Sequence, residues 1–167
     1  MLASTRRAVL RGVGVATAVG VAGCAGGGDG GVSGSDYPAM DEWLTETEVG
    51  AATDGYDGRV ADRTGGDTVT VAVGAEGNGG YFVFDPPALL VSTGTTVEFS
   101  WTGRGNPHNV EAEPAEQVGE SDYEFSSGEA EGGEGVKFTQ TMDRAGVALY
   151  HCEPHLSLGM KGGIAVE

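Results

Sequence analysis

From Asp67 onward, hydrophobic and polar positions follow one another in short runs with the period of a β-strand. Thr68 to Val73 and Thr96 to Trp101 alternate residue by residue, and Tyr81 to Phe84 and Leu89 to Ser92 are apolar runs on either side of Pro86 and Pro87. Asn109 to Ala112, Val136 to Thr141, Val147 to Cys152 and Gly163 to Val166 complete the series. Successive side chains of a strand point to opposite faces, so this pattern predicts seven or eight strands rather than helices. Strands of this length and spacing predict an all-β fold, an antiparallel sandwich around one core. Parity puts Tyr150 and Cys152 on one face of their strand and Leu149 and His151 on the other. Both pairs contain apolar residues, so alternation alone leaves the inward face open. Trp101, Met142 and the phenylalanines are expected in the core.

The chain ahead of Asp67 reads differently. Within residues 37–66, an acidic extension, Trp43, Leu44 and Tyr56 stand among acids between Tyr37 and Gly58, and predict a short helix and a turn on the edge of the domain. Residues 24–36 contain AGGGDGGVSGS, a Gly/Ser-rich composition that predicts a flexible tether. Residues 1–23 carry paired Arg6 and Arg7, an apolar run from Gly12, and then Val21, Ala22 and Gly23 before Cys24. That order is the pattern of a twin-arginine export signal ending at a lipidated cysteine. The apolar run is about a dozen residues long, whereas a spanning helix needs about twenty, so the segment is expected to be cleaved and not to span. Cys24 is then the first mature residue and the lipid anchor, and the domain is expected on the outer face of the cell membrane. Two further segments read as loops: GAEGNGG at 74–80, which lacks the Lys-Ser/Thr ending of a phosphate loop, and the acid-rich stretch 111–134, ordered only around Tyr123 and Phe125.

Charge narrows the partners. Three of the 9 basic residues, Arg6, Arg7 and Arg11, precede Cys24 and no acid does, which leaves 6 basic against 25 acidic residues, a net charge of −19. Such a chain lacks the basic footprint that nucleic acid requires. An acidic surface repels itself at low ionic strength, and at molar salt the Debye length shrinks to about 3 Å, so the composition suits a very salty medium. Residues 111–134 are the best candidate for an acidic docking patch, with a solvated halophilic surface as the plainer explanation.

Chemistry concentrates near the C-terminus. Cys152, His155 and Met160 follow the spacing Cys-x2-His-x4-Met in YHCEPHLSLGM, with Pro154 and Gly159 as turn residues, and His108 lies upstream in NPHNV. Two imidazoles, a thiolate and a thioether form the mixed soft and borderline donor set of a blue copper site. The Cys and both His would lie roughly in a plane with the metal, and Met160 further away on the axis. Taken singly, Cys152 reads as a buried free thiol and Met160 as a core side chain. Zinc is the other metal to weigh, but it prefers four strong ligands without a thioether. With Cys24 consumed, Cys152 has no partner for a disulfide within the domain.

Residues 82–101 (FVFDPPALLVSTGTTVEFSW), 107–110 (PHNV) and 150–167 (YHCEPHLSLGMKGGIAVE) resemble the cupredoxins, and most closely the halocyanins, blue copper proteins of salt-loving archaea. The resemblance covers residues 67–167 as one domain. It implies a Greek-key β-sandwich, one type 1 copper ion, and His108, Cys152, His155 and Met160 as its four ligands. It also favours a supporting hydrogen-bond role for Asn109. The residue before the cysteine is commonly aromatic in related proteins and is His151 here. That histidine is expected to point away from the metal, most simply into solvent, with a part in a redox route as the sharper alternative. Pro107, Pro154, Leu156 and Leu158 are expected to form an apolar rim where a transient redox partner docks.

The expected function is a mononuclear electron carrier, a monomer without catalysis of its own, working between membrane-associated redox proteins. An oxidase or nitrite-reductase component would need histidines for further copper, and only His108, His151 and His155 exist. Copper storage or delivery is the alternative, and it would favour exchangeable Met/His-rich sites over a single buried thiolate.

Overall fold

The structure, a computed structural model, describes residues 31–113 and 118–167. Arg6, Arg7, Cys24 and the first part of the glycine-rich tract lie outside the described residues. Among those described, nine strands form two sheets. One sheet holds β1 (Gly31–Ser33), β2 (Arg59–Asp62), β5 (Ala88–Val91), β9 (Lys161–Val166) and β8 (Gly146–His151), side by side in that order. The other holds β4 (Gly80–Asp85), β3 (Thr68–Gly77), β6 (Thr96–Thr102) and β7 (Glu134–Thr141). The chain crosses between the sheets after β2, β4, β5 and β7, which makes the expected sandwich. Both sheets are mixed and not antiparallel, because β2 and β9 each pair with β5, and β3 pairs with β6, in parallel.

Alternation places the core. Val69, Val71 and Val73 of β3 and Val97, Phe99 and Trp101 of β6 face Leu89, Val91, Tyr150, Ile164 and Val166 of the opposing sheet. Each such side chain contributes about 1.5–3 kcal/mol when fully buried. Strands β5 and β9 are buried at every position, because their other face is covered as well. The cover is α1 (Pro38–Thr45), whose Pro38 suits a first helical turn and whose Met40, Trp43 and Leu44 fall on one face by their three- and four-residue spacing. Those three pack with Val60, Ala88, Leu90, Val118, Leu149 and Ala165 as a second core. The expected helix is therefore present but lies on a sheet face and not at the domain edge.

Three further expectations need correction. The tract expected to be a tether through residue 36 is structured from Gly31, since β1 pairs with β2 and a 3-10 turn spans Gly34–Asp36. Asn109 to Ala112 forms no strand of a sheet; Glu111 alone makes bridges, to Ser126 and His151. The GAEGNGG loop is mostly β3, which bulges between Val73 and Ala75 and turns into β4 through Asn78 and Gly79. Both have positive φ, 54° and 79°, the requirement of the tight hairpin turn that Asn-Gly serves.

Tyr150 is the hub of the main core, with ring centroids 4.9 Å from Phe84 and 5.4 Å from Phe99. Its hydroxyl is buried and has no hydrogen-bond partner among the described residues. An unpaired buried hydroxyl is a cost to folding, so Tyr150→Phe should stabilise the protein by about 1 kcal/mol. A melting temperature that rises by roughly 3 °C would agree with this, and a fall would show that the hydroxyl is satisfied.

Candidate metal centre

Strand β8 delivers Cys152 to one end of the sandwich. The chain then makes a 3-10 turn, Glu153–Leu158, with Pro154 in its first positions, and ends it at Gly159, whose φ of 89° only glycine adopts freely. Backbone bonds close the loop on itself: His155 N donates to Cys152 O at 3.1 Å, Met160 N to His155 O at 3.2 Å, and Cys152 N to Met160 O at 3.0 Å. Cys152, His155 and Met160 are thus held on one compact turn.

His108 comes from the segment that follows β6 of the other sheet. Its backbone exchanges hydrogen bonds with Glu131 at 3.0 and 2.9 Å, and the Trp101 indole donates to the carbonyls of His108 and Glu131 at 3.2 and 3.0 Å. These bonds bring the His108 Nδ1 to 3.1 Å from the His155 Nδ1 and 3.7 Å from the Cys152 Sγ, with 3.3 Å between Cys152 Sγ and His155 Nδ1. His108 Nε2 lies 3.0 Å from the carbonyl of Arg104. A carbonyl only accepts, so Nε2 carries the proton and the Nδ1 lone pair faces the cluster. Asn109 fastens the two parts together. Its Oδ1 accepts from Glu153 N at 2.9 Å, and its Nδ2 donates to Gly128 O at 3.1 Å and to Glu153 Oε2 at 2.7 Å.

The site is shielded from the surface, with Cys152 fully buried and His108 and His155 nearly so. Burial holds both imidazoles below their ordinary pKa; the Arg104 carbonyl offsets part of this for His108, and the neighbouring His108 adds to it for His155. Burial pushes the Cys152 thiol up to about 11, against amide bonds that favour the thiolate. Neutral imidazoles are ready donors, and a metal ion entering this site must displace the thiol proton. One thiolate and two imidazoles converging within hydrogen-bond range suit a single copper ion. Because Asn109 sets the relation of the two loops, Asn109→Ala should weaken copper retention about 10–100-fold, measurable by competition with a chelator. Retention equal to the unmodified protein would show that the backbone bonds alone suffice.

Met160, the fourth expected ligand, is fully buried and starts from this same loop. His151 points away from Cys152 as parity requires, but it is not solvated. It is fully buried beneath α1, 6.3 Å from the Trp43 ring, with Nε2 3.3 Å from the Glu113 carbonyl. Leu156 leaves the expected rim: it is half-buried against the second core, while Pro107, Pro154 and Leu158 are exposed. Among the contributors missed from sequence are Phe82, Gly74 and Gly105. Phe82 packs on the His155 ring with centroids 4.5 Å apart. Gly74 and Gly105, both with positive φ, leave the space that His108 occupies, since a Cβ on either would come within 3 Å of its Nε2. The glycines carried a signal in their loop-like context, but nothing in the sequence paired them with His108.

Residues 69–167 match the sequence model of the copper binding proteins of the plastocyanin/azurin family. The chain is 47% identical over 127 residues to halocyanin from Natronomonas pharaonis, covering 76% of this chain and 71% of that protein. It is 36% identical over 108 residues to plastocyanin from Scenedesmus fuscus, covering 59% of this chain and 99% of that one. Among solved structures, pseudoazurin from Methylobacterium extorquens AM1 aligns with a TM-score of 0.43 at 27% identity, over 60% of this chain and 75% of its own. With its donor atoms converging as this family's chemistry requires, the chain belongs to the plastocyanin/azurin family of copper-binding proteins.

Proposed function

We propose that this chain is a mononuclear blue copper electron carrier without catalysis of its own, exported through a twin-arginine leader and held at the outer face of the cell membrane by lipid on Cys24. The observation that carries the electron-transfer reading is the buried convergence of Cys152 with His108 and His155. Bound copper supplies a one-electron couple between its cuprous and cupric states. The residues do the rest. Cys152, His108 and His155 would hold the ion from positions already fixed by backbone bonds, with Met160 as the fourth ligand, supported by its complete burial on the same loop. Preformed donors need little rearrangement when the charge on the metal changes.

Arg6, Arg7 and Cys24 support export and anchoring through their sequence pattern alone. Among the described residues, no helix is long and apolar enough to cross a membrane. The net charge of −19 after Cys24 supports work in concentrated salt. The partners are membrane-associated redox proteins, met by a monomer through the exposed Pro107, Pro154 and Leu158 beside the histidines.

The test is to add one equivalent of cupric ion to the purified chain in molar salt and record visible and paramagnetic-resonance spectra before and after ascorbate. An intense blue band with narrow copper hyperfine splitting, bleached by reductant and restored by oxidant, is expected. A pale, folded product would overturn the reading. Leu158→Asp should leave the blue band intact and, in a stopped-flow exchange with a redox partner protein, slow electron transfer, because a charge now sits where an apolar contact must form and release. Unchanged kinetics would remove the docking face.

A further inference from the structure

The ligand loop has a second support that belongs neither to its own turn nor to the matched family region, which begins at residue 69. It comes from the N-terminal extension. Glu46 ends α1 and reaches in two directions. Its Oε2 accepts the amides of Glu48 and Val49 at 2.5 and 2.9 Å, which turns the chain back. Its Oε1 meets Lys161 Nζ at 2.5 Å, and its main-chain carbonyl accepts from the same ammonium at 3.2 Å. Lys161 follows Met160 directly and is fully buried, with Nζ 4.6 Å from the centre of the Trp43 ring. A buried ammonium needs such partners, so the ion pair ties the loop's outgoing end to the extension.

Beyond the turn, the extension lies against the loop backbone with no side chain between them. A Cβ at Gly50 would stand 2.1 Å from the Leu156 carbonyl oxygen, and one at Gly159 would stand 2.3 Å from the Ala52 carbonyl oxygen. Thr53 N then donates to Leu44 O at 3.0 Å, which returns the segment to α1. Residues 46–53 therefore start and finish on the second core and touch the loop at Leu156, Gly159 and Lys161, bracketing Met160.

We propose that residues 46–53 act as a strap that positions the loop carrying His155 and Met160, through the Glu46–Lys161 pair and the Gly50–Leu156 backbone contact. Its bearing on copper rests on the reading of this loop as a copper site. Outer supports of this kind hold ligands in place and change how firmly a metal is kept.

The experiment compares the full chain with Glu46→Gln, Gly50→Ala and Gly58→Ala. Gly58 also has positive φ, 83°, but a Cβ there meets nothing within 4 Å, so it reproduces the backbone strain without touching the loop. Two quantities are read once circular dichroism has shown a folded product. One is hydrogen exchange of the His155 and Met160 amides in copper-free protein, and the other is the rate of copper release to a chelator. Glu46→Gln and Gly50→Ala should speed both, release by about tenfold, while Gly58→Ala changes neither. Unchanged exchange and release in folded Glu46→Gln would overturn the strap, and so would an equal change in Gly58→Ala. If Gly50→Ala does not fold, Glu46→Gln decides. An unmodified protein that takes up no blue copper would defeat the copper reading instead, and amide exchange would still decide whether the strap holds the loop.

Discussion

Replacing Cys152 by serine abolishes the intense visible band expected of the copper-loaded protein and weakens copper retention by more than about a hundredfold, beyond the 10–100-fold typical of changes outside the ligand set. The band depends on the thiolate, and Cys152 is the free cysteine among the described residues. Serine is close in size but a poor ligand for a cuprous ion, which favours soft sulfur. The side chain is fully buried, so the new hydroxyl also costs about 1–3 kcal/mol unless it finds a partner. His108 and His155 stay in place, because their positions depend on Glu131, Trp101 and the loop's backbone bonds. A pale, folded protein with sub-stoichiometric copper by mass spectrometry is the expected product. A surviving blue band would mean that the thiolate is not the source of the colour.

The largest loss of stability is expected at Trp43, outside the metal centre. Trp43→Ala should destabilise the copper-free protein by about 3–5 kcal/mol, the range for deleting a large buried aromatic side chain. The indole is nearly buried, donates to the Tyr150 carbonyl at 3.1 Å and lies beneath the Lys161 ammonium. Truncation opens a cavity, removes a buried hydrogen bond and takes one partner from a buried charge. Trp43→Phe keeps most of the apolar surface and should cost much less. Urea unfolding of both variants measures the difference. A loss below about 1 kcal/mol for alanine would show that α1 packs on the sandwich without belonging to its cooperative core.

That α1 matters at all explains why part of the fold was hard to read in advance. Strand β6 was legible because only one of its faces is buried, so Val97, Phe99 and Trp101 alternate with polar residues. Strands β5 and β9 are covered by the opposite sheet on one face and by the second core on the other, and alternation vanishes where both faces are dry. For the same reason parity could not tell whether Tyr150 and Cys152 or Leu149 and His151 faced inward. Both pairs do, into different cores. Strands β1 and β2 escaped notice because GVS and RVAD are too short and too polar to show a period; backbone pairing and Val60 hold them. Asn109 to Ala112 misled in the opposite sense. Val110 and Ala112 are core residues with strand-like spacing, yet the segment is pinned only by isolated bridges.

The metal centre divides in the same way. By itself the sequence determined the donor chemistry, since a thiol, an imidazole and a thioether within nine residues and a histidine in NPHNV leave few alternatives. It also determined the acidic character of the surface and the alternating strands. Only the tertiary structure decided which groups serve the ligands: Trp101 and Glu131 on the His108 backbone, Phe82 on the His155 ring, Gly74 and Gly105 around His108, and Glu46 on Lys161. Ligand identity is a property of single residues and their local spacing. Support is a property of residues brought together by packing, most of them tens of positions apart, and no local pattern records which of them will meet.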